Sequence, residues 1–279
     1  MKISALTTSL YRLVSGLSFI GVLLFASQAH AALDHQYSAF DALLSKHVKW
    51  NASGTASAVD YAGLKKERAS LGKVLTAFSA VTQAEFDQFS REQQLAFLIN
   101  AYNGFTLELI LSKYPDLDSI KDLGGLFSGS PWSQDFFSLL GQKRTLDWIE
   151  HDQIRGSGRY NEPRIHFVVN CASIGCPALR PQAITADSLE ASLEDSTKRF
   201  FSDRTRNYYD PQEAELQVTK LLDWYEDDFT KGHQGIQTVK GFLARYANQL
   251  SDDEAVRKQI GSETVDYGFT SYDWSLNKQ

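Results

Sequence analysis

Apolar residues recur at helical spacing through much of the chain. Phe40, Leu43, Leu44 and Val48 put one stripe on a helix over 33–49, and Leu64, Leu71, Val74, Leu75 and Phe78 do the same over 62–80. The small, polar stretch 51–57 between them reads as a linker. Ser90 with Gln93 has the spacing of a capping box, in which hydroxyl and amide satisfy free backbone N–H groups at a helix start. It opens the strongest helix, 91–113, which stops before Pro115. From Leu95 to Leu111 this helix is apolar nearly all round, so it is expected to be central and buried. Asn100, Tyr102 and Asn103 interrupt the apolar surface. A buried amide without partners costs about 1–3 kcal/mol, so both asparagines are expected to tie down neighbouring backbone or to line a site.

Residues 116–133 form a loop rich in Gly, Ser and Pro, a segment suited to a rim or lid. Phe136–Leu140, a turn at Gly141-Gln142-Lys143, and Arg144–Leu146 predict a hairpin. A short helix, 148–155, follows. The run 164–170 predicts a buried strand that exits into the loop Cys171–Pro177. Beyond it the pattern gives an amphipathic helix over 186–202, a second hairpin around Asp210-Pro211, and helices near 221–229, 236–248 and 252–259. No repeat or change of composition divides the chain. The fold class expected is α+β, a single mostly helical domain around a small sheet with hairpins.

The N-terminus changes where such a domain would work. Lys2 and Arg12 are the only charges in the first 31 residues, and an apolar run from Leu13 to Ala26 leads to Ala29-His30-Ala31. This is the pattern of an export signal cleaved after Ala31. Its 14 apolar residues fall short of the roughly 20 that span a bilayer, so a soluble periplasmic or secreted protein without a membrane anchor is expected. Within the mature chain, 32–57 holds the N-terminal helix and linker, and 58–277 the remainder. Loss of the signal takes the net charge from −6 to −8. An acidic chain without a basic run is a poor partner for nucleic acid, whose phosphates need clustered Lys and Arg.

Candidate chemistry concentrates at 164–177. Cys171 and Cys176 are the only cysteines. Their spacing is neither a zinc pattern nor the CxxC of thioredoxin-like sites. Two alternatives stand: a disulfide that braces the loop, favoured by an oxidising compartment, or a free Cys171 nucleophile at a strand end. A reducible bridge would let the two alternate. His166 lies within the expected strand, and alternation turns it away from Cys171. His151 is the better partner, with Glu150 beside it to orient the imidazole. Glu150 has a competing role, because Asp147 to Glu150 also has capping-box spacing, and His151 can simply share a face with Arg155. The cluster Glu226-Asp227-Asp228 reads as a solvated helix face. No metal or cofactor motif is present.

Val59-Asp60-Tyr61, the run Ala96 to Asn103, Ile149-Glu150-His151, the run His166 to Cys171 with Cys176-Pro177, and Tyr272 to Asn277 together resemble the family called "domain of unknown function 547". The likeness covers roughly 58–277 with five motifs in order. It implies a site common to the family at Glu150, His151, Cys171 and Cys176, and no assigned activity. The expectation from the residues is a cysteine-dependent hydrolase or transferase acting on an amide or thioester, with a small-molecule or peptide-like ligand. In it Cys171 attacks, His151 moves the proton, Glu150 orients His151, and Asn100, Asn170 or loop N–H groups hold the oxyanion, with Asn103, His166 and Cys176 lining the site. The competing expectation is a non-catalytic binding or scaffold module stapled by Cys171–Cys176.

Overall fold

A computed structural model describes residues 32–125 and 129–279. The expected export signal and its expected cleavage point lie outside the described residues. The order begins with α1 (Ser38–His47), β1 (Val48–Trp50), β2 (Ser57–Val59), α2 (Tyr61–Lys66), α3 (Arg68–Ala80), α4 (Gln83–Phe86) and α5 (Arg91–Leu111). It continues with the hairpin β3 (Phe137–Leu139) and β4 (Gln142–Arg144), a π-helix at Trp148–Arg155, a 3-10 helix at Pro163–Phe167, and α6 (Leu189–Phe201). Last come β5 (Tyr208–Asp210), β6 (Glu215–Val218), α7 (Leu221–Trp224), α8 (Glu226–Thr230), α9 (Val239–Arg245), α10 (Ala247–Leu250), α11 (Glu254–Gly261) and β7 (Asp266–Phe269). This is the expected α+β class, mostly helical with small sheets. No helix among the described residues is long and apolar enough to cross a membrane.

The central helix forms as its sequence dictates. Ser90 Oγ accepts from Gln93 N, and the Gln93 side chain accepts from Ser90 N, so the expected capping box is present. From Leu95 to Leu111 every residue of α5 except Glu108 is buried. A Cβ at Gly104 would stand 3.0 Å from Leu75, so its absence lets α3 approach closely.

Three elements differ from expectation. The first helix stops at His47, and Val48–Trp50, with Val48 expected on its stripe, instead pairs antiparallel with Ser57–Val59. Leu140 and Gly141 both have positive φ, 51° and 80°. The first hairpin therefore closes with a two-residue turn at Leu140-Gly141 rather than the three-residue turn expected. Residues 164–170 are not a strand. Pro163 starts a 3-10 helix, where its fixed φ fits and its missing N–H is harmless, and Glu162 Oε1 accepts from Arg164 N at 3.1 Å. The segment is buried on every side, and Arg164 is held by Glu162, Glu190 and Glu194. Such a segment carries no period from which to tell helix from strand.

Two apolar clusters result. One surrounds α5 and α3; the other collects Phe167, Phe200, Phe201, Phe229 and Phe242 with α9 to α11. The Cys171–Pro177 loop lies where they meet: Val169 and Ala172 belong to the first, while Phe167 and Tyr272 pack with the second.

Candidate functional site

The loop is held from three directions. From α5, Asn103 accepts a hydrogen bond from Asn170 N at 2.9 Å and donates to Val168 O at 2.9 Å. Within the loop, Asn170 donates to Pro177 O at 2.7 Å and accepts from Ala172 N at 2.9 Å. From the C-terminal segment, Ser275 O and Asp273 O accept from Ile174 N and Gly175 N at 2.8 Å each, and Asn277 N donates to Ala172 O at 3.1 Å. A Cβ at Gly175 would stand 2.9 Å from Asp273 O and from the Tyr272 ring, so only glycine lets the two segments lie this close. Arg206 adds a donor to Cys176 O and another, at 3.0 Å, to Thr55 O.

Cys171 and Cys176 are joined by a disulfide. The sulfur that the sequence offers as a nucleophile is bonded, and no cysteine is free. Both sulfurs face the Tyr272 hydroxyl, 3.2 Å from each, and Cys171 N donates to Cys176 Sγ at 2.9 Å. Burial pushes the Tyr272 phenol up to about 12, against hydrogen bonding from Ser173, so it stays a donor at neutral pH.

The bridge forms part of the wall of a cavity of about 170 Å³. The π-helix contributes Glu150 and His151 and the residue before it Asp147, the 3-10 segment contributes His166, and α5 contributes Tyr102. Aromatic rings complete it: Trp132, Trp224, Tyr225, Tyr272 and Trp274. The expected site residues thus divide. Glu150, His151, His166, Cys171 and Cys176 surround one cavity. Asn100, Asn103 and Asn170 do not line it, and their side chains bind backbone instead. Asn100 bridges Ile184 N and O at 3.1 and 2.7 Å, tying the chain beyond the loop to α5.

His166 does not point away from Cys171 as expected. Because its segment is a 3-10 helix, alternation does not apply, and its ring reaches the cavity that Cys171 lines. His166 Nε2 lies 2.8 Å from Asp228 Oδ2, and its ring stacks on Tyr225 at 3.9 Å between centroids. Asp228, expected on a solvated face, is buried and also holds Arg155 and Lys231. Burial opposes its ionisation. Hydrogen bonds from His166, Lys231 and Arg155 outweigh that effect and hold the carboxyl well below the usual range. Burial lowers the imidazole of His166 more than Asp228 and Glu150 raise it, so the ring is neutral. An ionised Asp228 only accepts, which puts the His166 proton on Nε2 and leaves the lone pair on Nδ1.

Glu150 neither caps the helix nor orients His151. Asp147 makes no capping bond, and Thr145 Oγ1 accepts from Trp148 N at 2.9 Å in its place. The buried Glu150 carboxylate lines the cavity wall with the phenols of Tyr102 and Tyr225, on which its charge acts. Burial, then that charge, raises both phenols. His151 Nδ1 is 2.6 Å from Arg155 Nη1, and its Nε2 is 3.7 Å from Asp147 Oδ1. A guanidinium has only donors, so Nδ1 accepts and the proton sits on Nε2. His151 therefore presents a donor, and His166 keeps the free lone pair. The wide π turn, closed by Gly156 N to His151 O at 2.7 Å, sets this arrangement.

Sequence reasoning missed Asp228, Tyr225 and Trp224. One signal was available, an aromatic pair directly before three acids at 224–228. Among the described residues, no three His, Cys, Asp or Glu side chains group closely enough to hold a metal ion.

No curated protein and no solved structure matches this chain. The family described as "Protein of unknown function, DUF547" matches residues 86–201, a span that holds α5, the π-helix, the disulfide loop and α6. Over residues 86–201, with the motifs of that span arranged around one cavity, the chain is similar to the DUF547 family.

Proposed function

We propose that the cavity is the active site of an exported cysteine-dependent hydrolase or transferase acting on an amide or thioester, and that the disulfide is its resting state. One observation carries this reading: both bridged sulfurs line a cavity beside two imidazoles and a buried carboxylate. A purely bracing bridge has no need of that setting. The loop is already tied to α5 and to the C-terminal segment by hydrogen bonds, and closing so short a ring contributes only about 2 kcal/mol by chain entropy.

A dithiol reductant opens the bridge by exchange, becoming a disulfide itself and leaving two thiols on the chain. Cys171 is the less buried of the pair. Its sulfur gives up its proton to His166 Nδ1 and attacks the carbonyl carbon. The tetrahedral adduct collapses as the C–N or C–S bond breaks, and the leaving group takes the proton from His166. Water or an amine then displaces Cys171 from the acyl group. The Tyr272 hydroxyl and the His151 Nε2–H supply donors for negative charge on sulfur or oxygen.

Intact-mass analysis after reduction tests this reading, using a phenylacetyl thioester of N-acetylcysteamine as acyl donor. The expected result is one acyl group on Cys171, lost in Cys171→Ser and formed at least about tenfold more slowly in His166→Asn. An unmodified Cys171 in folded, reduced protein would leave the bridge as a brace in a non-catalytic binding module.

A further inference from the structure

We infer that the cavity recognises a substituted ammonium group, so that the ligand is an organic cation. The inference rests on the proposed function in taking this cavity as the ligand site; the lining carries the ligand class. Two carboxylates, Asp147 and Glu150, face the cavity, and among the described residues no Lys or Arg lines it. Glu150 is only 6% exposed, and it shares the cavity wall with the neutral phenols of Tyr102 and Tyr225 rather than with a cation among the described residues. A buried carboxylate without a counter-charge is costly. A cation in the cavity removes that cost, whereas an anion meets repulsion.

The rest of the wall suits the same guest. Trp132, Trp224, Tyr272 and Trp274 form a connected group, with centroid separations of 4.5 Å for Tyr272–Trp274, 4.9 Å for Trp224–Tyr272 and 5.8 Å for Trp132–Trp274. Their faces carry negative quadrupole charge, which attracts a weakly hydrated cation strongly and a neutral group of equal shape weakly. The chain already uses two lining rings in this way. Lys121 Nζ lies 3.8 Å over Trp274, and Arg155 Cζ lies 4.6 Å over Tyr225. At about 170 Å³ the space suits a compact headgroup, below the roughly 300–1,000 Å³ of drug-sized sites.

Calorimetric titration of the oxidised full chain with choline, with its neutral isostere 3,3-dimethylbutan-1-ol and with methyl glucoside tests the inference. Choline is expected to bind at least about tenfold tighter than either neutral compound, and Glu150→Gln to weaken choline about tenfold while leaving the isostere unchanged. Trp224→Leu, at a position 44% exposed where folding is retained, should weaken choline as well. Equal affinity for choline and isostere, tighter glucoside binding, or no choline heat from protein that is folded by circular dichroism overturns the inference. Acylation of Cys171 without choline binding sinks this inference alone, and choline binding without acylation sinks the thiol reading alone.

Discussion

His166 Nε2 sits 2.8 Å from Asp228 Oδ2, and the same oxygen is held by Arg155. Lys231 takes the other carboxylate oxygen at 2.6 Å. One carboxylate from α8 thus fixes the ring that faces the disulfide and neutralises two cations beside it. Asp228→Asn keeps the shape and removes the charge. Breaking a buried ionic cluster from one side is expected to destabilise the protein by about 3 kcal/mol, measured by urea unfolding, and an unchanged midpoint would refute the assignment.

The same pair sets an acid dependence. His166 is kept neutral in the fold, while in the unfolded chain it protonates near 6.5. Below that pH the unfolded state binds a proton that the native state refuses, so stability falls as pH drops, by up to about 1.4 kcal/mol per unit. Asp228 acts lower: its depressed carboxyl contributes stability above its ordinary 3.8, lost as pH falls through the native value. Urea midpoints between pH 8 and 5 should fall less steeply in His166→Asn than in the wild type. Identical slopes would show that His166 titrates alike in both states.

Asn103 holds Asn170 N and Val168 O. Asn103→Ala leaves a buried donor and a buried acceptor without partners, so a loss of about 3 kcal/mol is expected from chemical denaturation. A loss below about 0.5 kcal/mol would mean that water replaces the amide.

Gly175→Ala puts a methyl 2.9 Å from Asp273 O and from the Tyr272 ring. Overpacking there is expected to lower stability by about 1–3 kcal/mol. It should also speed reduction of Cys171–Cys176 by dithiothreitol, since Tyr272 must shift away from the sulfurs. A bridge reduced at the wild-type rate would place the strain elsewhere.

The sequence made α5, its capping box and both hairpins legible, because each has a local cause: an all-apolar run, a Ser–Gln spacing, a turn between alternating segments. The site was legible in part. Cys171, Cys176, Glu150 and His151 stand in short motifs, and all four line the cavity. His166 was turned the wrong way because a segment buried on every side has no period, so 3-10 helix and strand look alike. Its partner Asp228 lies 62 residues further on, and no spacing rule connects them. The role of Glu150 depended on Tyr102 and Tyr225, one on α5 and the other between α7 and α8, a meeting that only the packing of two cores creates.

The segment 272–277 carries a consequence of its own. It supplies Tyr272 and Trp274 to the cavity wall and the carbonyls that hold Ile174 and Gly175. These residues leave the ribosome about a hundred positions after Cys171. The same segment completes the first apolar core with Leu276, which is 3% exposed, so cavity wall and core are closed by one stretch of chain. A chain stopped short of Tyr272 would lack both of those rings and the carbonyls that hold Ile174 and Gly175, leaving the disulfide loop tied through Asn103 and Arg206.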